Sequence, residues 1–431
     1  MPWKHDVYVY FLELPGTMSK RRVVITGLGV VTPLGDDLDL FWSRLLAGKC
    51  GIGPITRFDV SQYPSRIGGE ITPEVFNPEK TLPHRELKRL DRFSVYGMVA
   101  GIHAVQDSGI DFSRCDRERA GVVVGSGIGG IEEMEQQYDK MLARGVDRVS
   151  PFTVPKLMVN AAAGNLSIQW GLSGPISATA TACATAGNAI GDALRIIQYG
   201  EADVMLAGGA EAAMTKLGMA AFCALRALST RNDEPQLASR PFEKNRSGFV
   251  MSEGAGVVVL EELQHAQARG ARIYAELIAC GSTGDACHIT APDANGTGAV
   301  KAMEKALRMG DVHPDKINYI NAHGTSTELG DLAETKALHR VFGSNAKKVP
   351  VSSTKGALGH SLGASGAIEL AITCLAMQRG ELPPTINYLE PDPLCDLDYV
   401  PNVARQARVA YAMTNSFGFG GHNTSILIGK L

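Results

Sequence analysis

At 431 residues, 45% apolar and 20% charged, the chain carries enough apolar material for two or three domains or for one large duplicated fold. A net charge of -3 gives no electrostatic reason to bind nucleic acid or a membrane surface, and no apolar run reaches the ~18 residues of a membrane span. The 8 cysteines are scattered without a CxxC pair, which leaves no zinc or disulfide spacing and points to a reducing compartment, the cytoplasm.

Residues 1–17 contrast with the rest of the chain. They hold Asp6 and Glu13, a single Lys, no Arg and no small-residue cleavage site, which argues against a transit or secretory peptide. They are read as an N-terminal extension, with Met18 as the natural start. Residues 22–29 form a β-branched run ended by glycine, and 38–46 continue with helical spacing, the opening of a layered α/β protein. The proline-rich stretch 50–95 reads as an irregular excursion ending in a basic segment. There Arg85, Lys88, Arg89 and Arg92 stand at i, i+3, i+4 and i+7, one positive stripe if the segment is helical.

Residues 121–125 (GVVVG) predict a second buried strand, running into a glycine loop at 125–130 that contains G-x-G-x-x-G. A dinucleotide site needs an acidic partner on the next strand, which is missing, and Glu132 and Glu133 put negative charge where a pyrophosphate would sit. A glycine turn packed against other backbone is the better reading. Farther on, Ile190, Leu194 and Ile197 share a face with Ala189 and Ala193, which predicts a helix over 184–199 with Cys183 at its entrance. Unpaired N–H groups and the positive end of the helix dipole favour thiolate over thiol at such a place. The competing reading is a buried cysteine acting as a small apolar side chain.

Strands are predicted at 202–209 and 254–260, with a helix over 262–269. The alternation then restarts: strands at 273–279, 317–322 and 349–353, helices over 296–309 and 365–378, and a segment 410–421 leading into a closing strand, 424–428. The apolar stretch 363–377, broken by Glu369, is a buried helix rather than a membrane span. Two similar α/β halves are implied, 18–270 and 271–431.

Polar residues gather at strand ends in the second half, where layered α/β sheets border their ligand crevice. These are NAHGTST at 321–327, SSTKGALGH at 352–360 and NSFGFGG at 415–421. Two such histidines, His323 and His360, with a cysteine at a helix entrance form the pattern of a thiol nucleophile site. The dense glycines of the last motif let backbone N–H groups approach an oxyanion.

With TACAT at 181–185, RALST at 226–230 and PPTIN at 383–387, these motifs resemble the β-ketoacyl-[acyl-carrier-protein] synthases, best the type II elongating enzymes of fatty acid synthesis. The resemblance implies a thiolase-like fold, duplicated βαβαβαββ halves in a five-layered α-β-α-β-α sandwich, normally a homodimer. It implies an acyltransferase in which Cys183 is acylated, His323 and His360 promote decarboxylation of the malonyl thioester, and Lys355 organises the site electrostatically. The N–H groups of Cys183 and Phe419 would form an oxyanion hole, with Phe419 as a gate. Ile128 would shape the acyl pocket, while Asp331, Glu334, Thr325, Thr327 and Phe417 support the site. Arg85, Lys88 and Arg89, with Arg226, would dock the acidic acyl carrier protein. No metal or other cofactor is implied, only substrates carried on phosphopantetheine.

Two departures from many relatives stand out: Asn188 in place of His, and His422 in place of Thr. The rival readings are a type I elongating synthase, a polyketide ketosynthase, a noncatalytic chain-length partner subunit, and a dinucleotide-dependent oxidoreductase resting on the glycine loop alone.

Overall fold

The structure is a computed structural model that describes residues 20–431; the extension 1–17 and the Met18 start lie outside the described residues. The first half contributes the strands β1 (Val23–Val31), β2 (Ala120–Gly125), β3 (Ile176–Ser177), β4 (Val204–Glu211) and β5 (Gly254–Glu262). The second contributes β6 (Ala275–Gly284), β7 (Tyr319–Asn321), β8 (Val351–Ser352), β9 (Tyr411–Gly418) and β10 (His422–Gly429). In space the order is β8-β7-β9-β10-β6-β1-β5-β4-β2-β3.

The two halves repeat one topology. β1 runs antiparallel to β5 and β5 to β4, after which β4, β2 and β3 are parallel. β6, β10, β9, β7 and β8 show the same sequence of directions. The halves are joined where Val24 and Ile25 pair with Glu276 and Ala275.

Five helices matter for the layering: α1 (Arg92–Ser108), α2 (Thr185–Gln198), α3 (Thr297–Gly310), α4 (Glu328–Phe342) and α5 (Ser365–Arg379). One apolar cluster unites α1 residues such as Phe93 and Val99 with Val122, Leu206 and Val257 of the first sheet. A second joins both sheets through α2 and α5, with Ile190, Leu194, Ile368 and Leu375 between Val258 and Ile426. The third packs α3 and α4 on Ile320, Met413 and Leu427. The result is the α-β-α-β-α sandwich.

Strands covered on both faces are mostly apolar, and β1, β2, β4 and β5 are buried along their whole length. Their apolar runs are therefore visible in the sequence, β-branched in β1, β2 and β5 and rich in small residues in β4. Gly27 and Gly29 of β1 mark where α1 crosses: a Cβ on Gly29 would stand 1.9 Å from the Ala100 carbonyl. The apolar stretch ending at Met377 is α5, buried between the sheets. No helix among the described residues is long and apolar enough to cross a membrane.

One strand is unforeseen and two expectations change. β3 has only two residues and carries no pattern of its own, and the segment before the closing strand is itself a strand, β9. The basic stripe is broken as well. A four-residue helix, His84–Leu87, ends at Lys88, and Asp91 starts α1 by accepting from the Phe93 N–H. Arg92 thereby turns inward, pairing with Glu253 at 2.7 Å and Glu132 at 3.4 Å, while Arg85, Lys88 and Arg89 stay exposed.

Candidate active site

The two central helices begin alike. A 3-10 turn, Ala182–Ala184, leads into α2, and another, Leu362–Ala364, leads into α5. Each turn contains a non-glycine residue in the left-handed region, Ala182 at φ 49° and Leu362 at φ 47°. Such a conformation costs on the order of 1 kcal/mol and persists only when neighbours hold it. Around Ala182 the Thr185 hydroxyl donates to the Ala182 carbonyl (2.7 Å) and accepts from the Thr181 N–H (2.9 Å). The Thr181 hydroxyl donates to the Asn188 Oδ1 (2.8 Å), and Asn188 Nδ2 donates to Ser282 on β6 (3.1 Å). Asn188 thus ties the cysteine turn to the second half of the molecule.

Cys183, in this turn, is buried, and its Sγ lies 3.0 Å from His360 Nε2. The Phe419 N–H points at the sulfur. Burial dominates the thiol's acidity and pushes it up to about 12, against the pull of the Lys355 charge and the Phe419 N–H. The expected preference for thiolate at the helix entrance is therefore overturned by desolvation. His360 Nδ1 meets the Ser365 hydroxyl at 3.0 Å.

His323 lies edge-on to His360, ring centroids 5.3 Å apart, and against Phe417 at 5.7 Å. Burial, then the Lys355 charge, holds both imidazoles well below the usual histidine range. Both rings are neutral at pH 7, each with one N–H to donate. His323 Nδ1 has no hydrogen-bond partner among the described residues.

Behind this group stands Lys355, buried and paired with the equally buried Glu369. Glu334 accepts from the N–H groups of His323 (2.9 Å) and Gly324 (2.8 Å), fixing the loop that carries His323. Asp331 accepts from Phe242 N–H (2.7 Å) and Ser326 N–H (3.1 Å), and burial raises its pKa to about 7. Neither Asp331 nor Lys355 reaches the cavity; they shape it from behind.

Cys183, His323, His360 and Phe419 meet at a cavity of about 770 Å³. Ile128, Phe417, Thr325, Thr327 and Arg226 are also in its wall. Phe419 is half-buried and stacks on Phe222, with Gly420 beside it at φ 81°. Arg85, Lys88 and Arg89 do not line the cavity, and the Arg89 guanidinium lies over the Phe152 ring. Exposed His422 pairs with Gly418 where β9 turns into β10.

The glycine loop at 125–130 holds an anion, but an internal one. The buried carboxylate of Glu211 accepts from the Gly127 and Ile128 N–H groups and from the Ser126 hydroxyl. That removes the basis for a dinucleotide reading. Glu211, Glu369, Phe222 and the bridging role of Asn188 were not anticipated. Glu211 and Glu369 each had a local signal, a carboxylate ending the apolar run at 204–211 and one interrupting the apolar stretch 363–377, whereas Phe222 had none.

Residues 20–266 match the family described as beta-ketoacyl synthase, N-terminal domain, and residues 274–389 match its C-terminal domain. The chain is 48% identical over 414 residues to the 3-oxoacyl-[acyl-carrier-protein] synthase 2 of Coxiella burnetii, covering 96% of this chain and 100% of that one. To the protein of that name in Vibrio cholerae it is 49% identical, again over 96% and 100%. A beta-ketoacyl synthase from Burkholderia phymatum has a similar solved structure, 38% identical with a TM-score of 0.88, over 95% of this chain and 100% of that one. So does a type II PKS ketosynthase solved with its acyl-carrier protein, 34% identical with a TM-score of 0.88, over 96% and 100%. With both domains matched in order and a duplicated sandwich that converges on one cysteine and two histidines, the chain belongs to the β-ketoacyl synthase family.

Proposed function

We propose that this chain is an elongating 3-oxoacyl-[acyl-carrier-protein] synthase, an acyltransferase of fatty acid biosynthesis. It would condense malonyl carrier with an acyl chain held on Cys183. The observation that carries the reading is the 3.0 Å approach of His360 Nε2 to Cys183 Sγ in the cavity wall, with the Phe419 N–H aimed at the same sulfur.

In the first half-reaction Cys183 attacks the acyl thioester of the carrier's phosphopantetheine. His360 takes the thiol proton at Nε2 and returns it to the departing carrier thiol. The oxyanion formed on the way is met by the N–H groups of Cys183 and Phe419. In the second, malonyl carrier loses carbon dioxide, and the electron pair left behind becomes an enolate whose oxygen accepts from the N–H groups of His323 and His360. Their neutral state suits donation: after the first half-reaction the His360 ring proton moves from Nδ1 to Nε2, so that Nε2–H donates while Nδ1 accepts from Ser365. The carbanion attacks the Cys183 thioester, the tetrahedral oxyanion collapses and expels the Cys183 thiolate, and a 3-oxoacyl carrier two carbons longer departs while the thiolate takes up a proton from water.

Arg85, Lys88, Arg89 and Arg226 are exposed cations suited to an acidic carrier, with Arg226 at the cavity wall. A homodimer is supported by exposed Ile168 and by exposed Ile176 on the edge strand β3. The noncatalytic-subunit reading loses its basis, since Cys183, His323, Lys355 and His360 are present and assembled.

The test is intact-protein mass spectrometry after incubation with acyl and malonyl carriers. Acylation is expected at Cys183 and product only from protein that retains it; product from Cys183→Ala would sink the mechanism. Cys183→Gln should lose condensation yet still decarboxylate malonyl carrier, because both histidine donors survive.

A further inference from the structure

Glu211 ends β4 with no solvent exposure and takes part in neither half-reaction. Its two oxygens gather donors from both halves of the chain. Oε1 accepts from the Ser126 hydroxyl (2.8 Å) and the Ile128 N–H (3.2 Å), while Oε2 accepts from the N–H groups of Gly127 (2.8 Å) and Gly363 (3.1 Å). Residues 126–128 come directly after β2 of the first half. Gly363 lies in the turn between His360 and α5 of the second.

Gly127 and Gly363 leave the space that the Glu211 carboxyl fills. A Cβ on Gly127 would stand 2.7 Å from Glu211 Oε2, and one on Gly363 would stand 2.7 Å from Oε2 and 2.6 Å from Gly127 N. Ser126 also accepts from the Gly129 N–H at 2.9 Å, so the whole turn is drawn around the one side chain. Burial pushes Glu211 up to about 7, and the groups that oppose this are the same four donors. Gly127, Ile128, Glu211 and Leu362 all face the cavity that contains Cys183. Ile128 is 37% exposed, a side chain in the wall rather than in the core.

We propose that Glu211 is a positioning residue that latches the Ile128 turn to the Leu362–Gly363 turn and so sets which acyl lengths Cys183 accepts. Ile128 shares the cavity wall with Cys183, so an acyl chain that extends toward Ile128 has to move it. The cost of doing so includes prising its turn off Glu211. The inference rests on Cys183 being the acylated residue.

Glu211→Gln keeps the volume but faces two of the four donors with an NH₂ group, which breaks the latch without opening a void. Cys183 acylation by a short-chain and a long-chain acyl carrier is tracked by mass spectrometry, with a thermal melt alongside. The long-to-short ratio of acylation rates is expected to rise roughly tenfold in Glu211→Gln, the scale of one hydrogen bond to a charged group. Ser126→Ala, which removes one arm only, should shift the ratio the same way by less. An unchanged ratio, or equal losses at both lengths with a lowered melt, overturns the latch. If Glu211→Gln does not fold, Ser126→Ala decides by itself. Wild-type protein acylated at Cys183 with unshifted variants condemns the latch alone, whereas wild-type acylation elsewhere condemns the functional reading and the latch with it.

Discussion

A thiol pushed up to about 12 is almost entirely protonated at neutral pH, so the reactivity of Cys183 rests on His360 at 3.0 Å rather than on a standing thiolate. Because the thiolate fraction grows tenfold per pH unit below the pKa, alkylation of Cys183 by iodoacetamide should keep rising from about pH 7 to 9. A plateau near pH 7 would show that the thiolate is already formed. The Lys355 charge supplies the opposing field, and Lys355 and its partner Glu369 lie wholly inside the protein. Removing one partner leaves a buried charge uncompensated, so Lys355→Met should cost ~3–5 kcal/mol in a denaturant titration. The double variant Lys355→Met, Glu369→Leu should recover part of that loss, which separates stability from the effect of Lys355 on the histidines.

At the scale of elements, the active site is made by where helices start. α2 and α5 run side by side between the sheets, and Gly366 near the start of α5 abuts Gly187 near the start of α2. The turns carrying Cys183 and Leu362 are thereby brought to one end of the central layer. Glycines in strands serve the same closeness on the outer side: β1 accepts α1 because Gly27 and Gly29 lack a Cβ. Gly29→Ala would drive a methyl into the Ala100 carbonyl, an overpacking that forces the helix away. A loss of ~1–3 kcal/mol is expected, read from the midpoint of chemical unfolding. Gly29→Ala melting like wild type would mean that α1 can shift freely.

For the whole molecule, charge matters through its distribution, since the net value of -3 would repel an acidic partner rather than attract it. Arg85, Lys88, Arg89 and Arg226 form an exposed basic set despite that total. Reversing the charge of Arg85, Lys88 and Arg89 together should raise the carrier KM by roughly tenfold at low salt while kcat changes little, with the difference shrinking as salt screens the encounter. An unchanged KM would remove these residues from the docking surface.

The sequence by itself determined the layered α/β class and the motifs of the site. Runs such as 121–125 and 254–260 are apolar at every position because both faces of those strands are covered, and helix 38–46 is amphipathic. Short β3 was illegible because two residues have no period, and Arg92 was misplaced because Asp91 restarts the helix there. Glu211 and Asn188 gain meaning only through partners 83 to 152 and 94 residues away, which no local pattern encodes. The acidity of Cys183 was likewise decided by tertiary structure. A helix entrance can be read from spacing, but the burial that outweighs its dipole exists only once two sheets close over α2 and α5.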